Sequence, residues 1–166
     1  CYQVPGLMLG GTTIVISPLI SLMKDQVDQL KAMGIKAAYL NSSLNKKQQS
    51  EIENKLITEG IQFLYVAPER FESNYFLKLL SQIDINLIAF DEAHCISKWG
   101  HDFRPSYQSV IQKVFTLPQN FTIVALTATA TAEVQQDIMS KLSIGQNDVV
   151  KTSTKRRNLI FKVNPT

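Results

Sequence analysis

The feature of this sequence that most constrains its fold is a regular alternation of short apolar segments with amphipathic ones. The first apolar segment, "TTIVIS" at 12–17, is β-branched and apolar on both faces, which is typical of a strand buried in a parallel sheet. A pattern with helical spacing of its apolar residues follows at once over 18–34. We expect Ser17 to cap this helix, Pro18 to lie in its first turn and Gly34 to end it.

The same order of strand and helix repeats along the chain. Further strands are predicted at 36–40, 61–69, 86–92 and 121–129. Helices are predicted after them at 45–60, 74–83, 107–115 and 131–142. About five strand–helix units of this kind predict an α/β fold in which helices cover an open, mainly parallel sheet. Ligands of such folds bind at the carboxyl ends of the strands.

Composition agrees with one soluble domain. The 166 residues suffice for a single core, and 45% hydrophobic with 19% charged residues is an ordinary globular balance. No apolar run approaches the roughly 20 residues that span a bilayer, and the start "CYQVPGLMLGG" lacks the pattern of a signal peptide. We therefore expect no membrane partner, no secretion, and a location in the cytoplasm or, in a eukaryote, the nucleus. The net charge of +3 permits a polyanionic partner without requiring one.

The residues after the predicted strands carry the candidate chemistry. Asp91 and Glu92 end the apolar run "LIAF", which places two carboxylates at the mouth of the sheet. Because Mg²⁺ is commonly held by one or two carboxylates together with substrate phosphates, Asp91 is a candidate ligand for it. Glu92 is a candidate for orienting or deprotonating a water that attacks phosphorus. Taken alone, two acids after a strand favour a solvated turn or a helix cap instead.

A loop with bulky aromatic residues follows these acids. Trp99 and Phe103 lie among Gly100, Asp102 and Pro105, residue types that discourage helix, so we expect part of the loop to be exposed. Exposed aromatic rings offer a platform for unstacked bases, with stacking worth roughly 1–3 kcal/mol per base. The alternative is that Trp99 folds back as a local core residue, which is the usual place of a lone tryptophan.

Four segments and this loop, in order along the chain, resemble the motifs of superfamily 2 helicases and, more closely, of the RecQ family of DNA helicases. "VISPLISLMKDQV" (15–27) looks like motif Ia, "YVAPER" (65–70) like motif Ib, "DEAH" (91–94) like motif II and "ALTATA" (125–130) like motif III. "CISKWGHDFRPSY" (95–107) is similar to the aromatic-rich loop that distinguishes RecQ enzymes from other helicases. The resemblance covers essentially the whole chain and implies a RecA-like fold, a three-layer sandwich.

The resemblance implies a role for each matching residue. In motif II, Asp91 would carry the Mg²⁺ of bound ATP, Glu92 would act on the attacking water, and His94 would link the nucleotide site to motif III. Motif III would sense the nucleotide state through Thr127, Ala128 and Thr129. The aromatic-rich loop would sense single-stranded DNA and couple that contact to ATP hydrolysis. Its candidate DNA contacts are Lys98, Trp99, His101, Phe103 and Arg104.

Motifs Ia and Ib offer candidate contacts to DNA phosphates. Ser17, Ser21 and the free amides at the start of the following helix can bind a phosphate at the positive helix end. Arg70 is a candidate for a further phosphate contact. An equally good explanation of Ser17 is that it only caps the helix. Such contacts would position a strand without reading its sequence.

Zinc is not expected near motif II. A structural zinc site needs a full tetrahedral ligand set at CxxC-like spacing, and the chain has two cysteines and two histidines in all. We therefore expect no zinc site built on His94, Cys95 and His101, and expect Mg²⁺ as the metal.

The phosphate-binding loop GxxxxGK[ST] is not found in the 166 residues, because "MLGGTT" at 8–13 has glycines but no following lysine. In RecQ-like proteins that loop lies immediately before "CYQVP". We therefore expect 1–155 to be a partial first RecA-like domain that lacks the phosphate-loop strand, a central strand of RecA-like sheets, and that leaves unpaired strand edges. We expect 156–166 to begin the connection to a second RecA-like domain.

The resulting hypothesis is part of an ATP-dependent 3′-to-5′ DNA helicase of RecQ type that acts on single-stranded and partially duplex DNA in repair or recombination. The chain by itself is predicted to be inactive, because it lacks the phosphate loop and the second motor domain. One alternative is a DEAD/DEAH-type RNA helicase domain, although such proteins do not carry the 95–107 loop. Another is a nonenzymatic nucleic-acid-binding module.

Overall fold

The computed structural model describes residues 1–152, and in this part of the chain six α-helices alternate with five strands. The helices are α1 (Gln3–Leu9), α2 (Ile20–Ala32), α3 (Lys46–Thr58), α4 (Asn74–Leu80), α5 (Pro105–Val114) and α6 (Ala132–Leu142). The strands are β1 (Thr12–Ile16), β2 (Ala37–Leu40), β3 (Phe63–Val66), β4 (Ile85–Phe90) and β5 (Thr122–Ala125). The predicted alternation is confirmed, and the predicted connection at 156–166 lies outside the described residues.

The five strands form one parallel sheet in the order β2-β3-β1-β4-β5. β1 and β4 are neighbours at its centre, and their register places Ile16 opposite Phe90. β4 pairs with β5 on its other side, with Phe90 opposite Ala125. Because all strands run the same way, the residues after β1, β4 and β5 meet at one edge of the sheet.

Helices cover both faces of the sheet, as the three-layer prediction requires. Along β1, Ile14 and Ile16 belong to one apolar core, and Val15 between them belongs to the other. This alternation follows from the two-residue period of a strand. The core beneath Ile14 and Ile16 is closed by α3, α4, α5 and α6, and the opposite core by α2 and by Tyr2 at the start of α1. Residues on both faces are buried, which explains why the strands read as continuous apolar runs.

The start of α2 differs from the sequence prediction. Ser17 was expected to cap this helix, but the helix begins at Ile20 with Leu19 in the capping position and no side chain capping it. The Ser17 hydroxyl is instead 3.3 Å from Asp91 Oδ2, and the side chain is buried. The prediction of the cap is therefore wrong, because the helix begins only at Ile20. The Ser17 hydroxyl accepts from the Leu19 amide at 3.4 Å and can donate to Asp91, which directly follows β4. The predicted end at Gly34 is confirmed, since Gly34 follows the helix with φ +77°.

β5 forms the least covered edge of the sheet. Its residues are exposed or half-buried, whereas those of β1 and β3 are all buried. A groove of about 750 Å³ runs beside it, lined by side chains that include Ile123, Ile138 and Leu142. The described strands pair without a gap, so a further strand has room only at an edge of this sheet. The outer strands of the described sheet are β2 and β5, and no central gap marks the place of the strand predicted to be missing.

No helix within residues 1–152 is both long enough and apolar enough to span a membrane.

Tyr107 ties the helix layer to the central strands. Its buried hydroxyl lies 2.9 Å from the Asp91 carbonyl and 3.3 Å from the Ile16 carbonyl. Burial raises the pKa of Tyr107 far above its ordinary value, with nearby Cys95 adding to the rise, so the phenol stays protonated and acts as a donor. The carboxyl ends of β1 and β4 are therefore held by one side chain from α5.

Replacing Tyr107 with phenylalanine is predicted to lower the free energy of unfolding by about 1 to 3 kcal/mol, because the change leaves buried carbonyls short of a donor without changing the packing. Urea denaturation followed by circular dichroism measures this change. Tyr75→Phe is the matched control, since Tyr75 is 62% exposed and is predicted to tolerate the same substitution. Equal stability of the Tyr107 variant and the parent chain would contradict the role given to this hydroxyl.

Candidate active site

The carboxyl ends of β1 and β4 bring Asp91 to the mouth of the sheet. The Asp91 amide donates to the Ile16 carbonyl with 2.9 Å between nitrogen and oxygen, which continues the β1–β4 ladder past the last strand residue. The Asp91 side chain is half-buried, and among the described residues only the Ser17 hydroxyl lies within hydrogen-bonding distance of it. Asp91 therefore keeps free oxygen positions for a cation.

Glu92 has an unusual backbone conformation. Its φ of 48° and ψ of 46° lie in the left-handed region, which costs a residue with a side chain on the order of 1 kcal/mol or more. The turn is held by the amide of Ala93, which donates to the carbonyl of Leu126 at 2.8 Å. The two carboxylates have different partners, since Asp91 lies beside the Ser17 hydroxyl and Glu92 beside the His94 ring.

His94 connects the segment after β4 with the segment after β5. Its Nδ1 is 3.1 Å from the Thr127 hydroxyl and 3.3 Å from Glu92 Oε2, and the ring is buried. The Thr127 hydroxyl is in turn 3.3 Å from both the amide and the carbonyl oxygen of Thr129. The structure therefore brings the predicted histidine and the predicted threonines into one chain of polar contacts. Ala128 and Thr129 are exposed at its end.

The loop after motif II presents its tryptophan to solvent. Trp99 is 74% exposed, which confirms the predicted exposure and excludes the alternative of a local core residue. Phe103 is half-buried and Lys98 is exposed. The loop closes on itself, because the Arg104 amide donates to the Cys95 carbonyl at 3.0 Å. The aromatic platform is therefore a compact loop fastened directly to the segment that carries the acids.

Arg104 is engaged within the loop. Its guanidinium lies 3.0 Å from Asp102 Oδ2 and 3.4 Å from the Pro18 carbonyl, which fastens the loop to the end of β1. The hydrogen bond from Arg104 holds the pKa of Asp102 below its ordinary value. The expected phosphate contact of Arg104 thus has a competitor in Asp102, and a phosphate would have to share or displace that carboxylate.

Gly100 and His101 pack the middle of the loop onto motif II. A side-chain carbon at Gly100 would lie 2.4 Å from the His94 carbonyl oxygen, so the close approach needs glycine. The exposed His101 ring stacks on the His94 ring with 4.3 Å between centroids and 16° between planes. The loop candidate His101 is therefore in contact with the residue that joins motifs II and III.

Three potential metal ligands lie together beside this stack. The ligand atoms of His94, Cys95 and Asp102 are within 4.8 Å of one another. Burial, and then the charge of Asp102, raises the pKa of Cys95 to about 11, so its thiol is protonated and unreactive at neutral pH. Asp102 is occupied by Arg104. The group offers three ligands where a tetrahedral structural zinc site needs four, and it contains Asp102 in place of His101 of the set considered from the sequence.

The remaining residues predicted to contact phosphates have different surroundings in the structure. Ser21 is exposed in the first turn of α2, where a ligand can reach it. Arg70 is instead half-buried, with its guanidinium 2.6 Å from Glu53 and 2.9 Å from Gln49 of α3. Arg70 was expected to be available to a phosphate, but the structure pairs its guanidinium with an acid on α3. Ser17 faces Asp91 rather than solvent.

Two contributors to the site were missed from the sequence. The sequence places Tyr107 at the end of the loop motif and the start of a predicted helix, and nothing in its spacing indicates that its hydroxyl reaches the Asp91 carbonyl. Asp102 was read only as a residue that discourages helix. The ion pair between Asp102 and Arg104 could have been predicted, because opposite charges close together in a tight loop often pair.

Comparison with known proteins gives matches across the chain. The DEAD/DEAH box helicase family matches residues 1–138. The ATP-dependent DNA helicase RecQ of Bacillus subtilis is 52% identical over 163 residues, which cover 98% of this chain and 28% of that protein. The ATP-dependent DNA helicase RecQ of Haemophilus influenzae is 53% identical over 144 residues, 87% of this chain and 23% of that protein. The chain thus spans roughly a quarter of the length of these relatives.

Solved structures share the fold at low sequence identity. The Pyrococcus furiosus Hef helicase domain superposes with a TM-score of 0.62 at 17% identity, covering 86% of this chain and 30% of that one. A hypothetical ATP-dependent RNA helicase from Sulfolobus tokodaii gives a TM-score of 0.59 at 19% identity, covering 86% and 41%. These matches confirm the predicted fold class.

Gly100→Ala is predicted to lower the free energy of unfolding by about 1 to 3 kcal/mol, because the added carbon collides with a backbone oxygen that has no room to move. Gly145→Ala is the matched control. Gly145 has φ −72°, and its added carbon would meet only the end of the flexible Asp148 side chain, so stability should change by less than about 1 kcal/mol. Urea denaturation measures both. An unchanged stability of the Gly100 variant would show that the loop is not packed on His94.

Proposed function

The chain belongs to the DEAD/DEAH box helicase family, and from that premise we propose that it forms most of the first motor domain of an ATP-dependent 3′-to-5′ DNA helicase of RecQ type. The observation that carries this proposal is that the acids of the nucleotide site and the aromatic-rich loop lie on one connected segment. The acids at the end of β4 are joined through His94 to Thr127, and the loop that begins at Cys95 presents Trp99 to solvent. The RecQ helicases among the relatives support the choice of DNA.

The residues at the sheet mouth fit a nucleotide with its magnesium ion. Asp91 is half-buried, keeps free oxygens, and accepts only from Ser17 among the described residues, which suits one carboxylate ligand of Mg²⁺. When bound, Mg²⁺ would neutralise charge on the phosphates of ATP. Ser17 and the Ile16 carbonyl hold the Asp91 side chain and amide in place, so the ligand needs no rearrangement of its backbone.

Glu92 is the residue proposed to orient the attacking water or to accept its proton. Its backbone is left-handed, and His94 Nδ1 lies 3.3 Å from Oε2. The His94 ring thus borders one carboxylate oxygen, and the other oxygen can align a water. His94 also contacts Thr127, which lies in the segment after β5. A conformational change in that segment would therefore move the ring that borders Glu92. His94 thereby serves as the proposed link between hydrolysis and motif III.

The aromatic-rich loop is the proposed contact for single-stranded DNA. Trp99 offers a freely accessible ring face, with the exposed Lys98 beside it for a phosphate. Stacking on aromatic side chains does not depend on base identity, which suits a motor that moves along any sequence. Phe103 contributes from a half-buried position, and His101 lies between the platform and His94.

The phosphates of ATP also need a cradle that the chain does not supply, since no GxxxxGK[ST] segment occurs in the 166 residues. We assign that cradle, together with the second motor domain, to other parts of a longer polypeptide. The half-covered edge of β5 and its groove offer room for a strand that would carry the loop. Hydrolysis and unwinding are therefore assigned to the longer polypeptide and not to this chain alone.

The test is ATP hydrolysis by a polypeptide of the relatives' length that contains this chain. Hydrolysis should be stimulated by single-stranded DNA more than by RNA, and Glu92→Gln should lower kcat by about 100-fold or more, because the group that aligns the water is lost. Glu133→Gln, an exposed acid in the first turn of α6, is the control. The 166-residue chain alone should not hydrolyse ATP.

The outcomes separate the alternatives. Stimulation by RNA in place of DNA would favour an RNA helicase. No hydrolysis by the longer polypeptide, with nucleic acid still bound, would favour a nonenzymatic binding module. Normal hydrolysis by the Glu92 variant would contradict the role of that residue.

A further inference from the structure

α6 connects the two ends of the candidate site. The helix starts directly after the threonine-rich segment that follows β5, and the hydroxyl of Thr131 accepts from the Val134 amide to cap it. Three residues of α6, Val134, Ile138 and Leu142, are buried in the same core as Ile96. The helix is therefore a rigid element with one end at motif III and its side packed beneath the start of the aromatic-rich loop.

Lys141 on the last turn of α6 holds the base of that loop. Its Nζ donates to the Ile96 carbonyl at 3.0 Å and lies 2.8 Å from Asp137 Oδ2. Ile96 is three residues before the exposed Trp99. The side chains of Lys141 and Asp137 are only 25% and 22% exposed. A partly shielded lysine with two acceptors differs from a fully solvated surface pair, because one acceptor is the loop backbone itself.

Asp137, the partner of Lys141, is also influenced by the next two residues of the loop. Burial by itself would raise the pKa of Asp137, but the hydrogen bond from Lys141 and the nearby polar groups of Ser97 and Lys98 outweigh it, and the pKa ends below its ordinary value. Ser97 is fully buried, and its hydroxyl also accepts from the Trp99 amide at 3.2 Å.

The chain contains a second pair of the same kind that lacks these contacts. Lys24 and Asp28 on α2 are also four residues apart, with 2.9 Å between Nζ and Oδ2. Their side chains are 64% and 54% exposed, and this lysine makes no other side-chain hydrogen bond among the described residues. The pair on α6 is therefore distinguished by its attachment to the loop and not by its spacing.

We propose that Asp137 and Lys141 are positioning residues that fasten the base of the aromatic-rich loop to α6, so that DNA contact at Trp99 is transmitted to motif III. The proposal rests on the function proposed above. It adds a second connection to the one through His94 and Thr127. His94 joins motif III to the acids, and α6 joins motif III to the loop base, so both routes meet in the segment 126–131.

The test uses the longer polypeptide and compares Asp137→Asn and Lys141→Met with the parent. Each change keeps the size of the side chain while removing its charge. Hydrolysis without DNA should stay unchanged, and the maximal stimulation by single-stranded DNA should fall by roughly fivefold, the lower end of usual coupling between sites. Lys141→Arg should restore the stimulation, because a guanidinium still donates to the Ile96 carbonyl. Lys24→Met is the matched control and should behave as the parent.

Each outcome has one meaning. Equal stimulation in Lys141→Met and Lys24→Met would overturn the inference. So would an equal fall of the DNA-free and the DNA-stimulated rates, since that result indicates only a structural role. Absence of stimulation in the parent polypeptide would instead contradict the proposed function itself, on which the inference rests.

A second readout does not depend on hydrolysis. Trp99 is the single tryptophan of the 166 residues, so its fluorescence reports on the loop of this chain alone. Lys141→Met should make Trp99 more accessible to acrylamide and lower its anisotropy, with an unchanged far-ultraviolet circular dichroism spectrum, whereas Lys24→Met should change none of these. Unchanged quenching and anisotropy in Lys141→Met would overturn the fastening of the loop by α6.

Discussion

The site depends on the parallel pairing of β4 with β1 on one side and β5 on the other. This pairing extends past the strands, through the Asp91 amide to the Ile16 carbonyl and the Leu126 amide to the Phe90 carbonyl, both at 2.9 Å. Because the hydrogen-bond ladder is fixed by buried side chains on both faces, the three strand ends have little freedom to slide. Backbone geometry, rather than contacts among the side chains, therefore places the acids, the serine and the threonines together at the carboxyl ends of the strands.

A short series of polar contacts begins at these strand ends. Glu92 in its strained backbone faces His94, and His94 faces Thr127, so the acids and motif III share one histidine. The aromatic-rich loop is fastened near the same point from several directions, by Arg104 to Pro18 and by Lys141 to the Ile96 carbonyl. A loop anchored at its base with an exposed ring at its tip suits a sensor, because a ligand at the tip can shift the base without unfolding the core.

Periodicity and strand-end chemistry predict most of this arrangement. The order of elements and the meeting of the motifs at the carboxyl ends of the strands follow from continuous apolar runs that alternate with helical patterns, and the family resemblance adds the three layers. Side-chain partners do not follow from them. Ser17 was expected at a helix cap and contacts Asp91, while Arg70 was expected to be free and pairs with Glu53. In both cases the partner comes from a distant segment, and local spacing carries no information on it. The uncovered edge at β5 depends likewise on which strands are neighbours.

The most direct test of the account is the rate of ATP hydrolysis as a function of single-stranded DNA concentration, in a polypeptide of the relatives' length, for Trp99→Ala and for Tyr75→Ala. Both tyrosine and tryptophan are exposed, at 62% and 74%, but only Trp99 lies on the loop fastened to the acids. The account predicts that Trp99→Ala keeps its DNA-free rate and loses stimulation, while Tyr75→Ala responds to DNA as the parent does. Full stimulation in the Trp99 variant would contradict the claim that this loop carries the DNA signal to the nucleotide site.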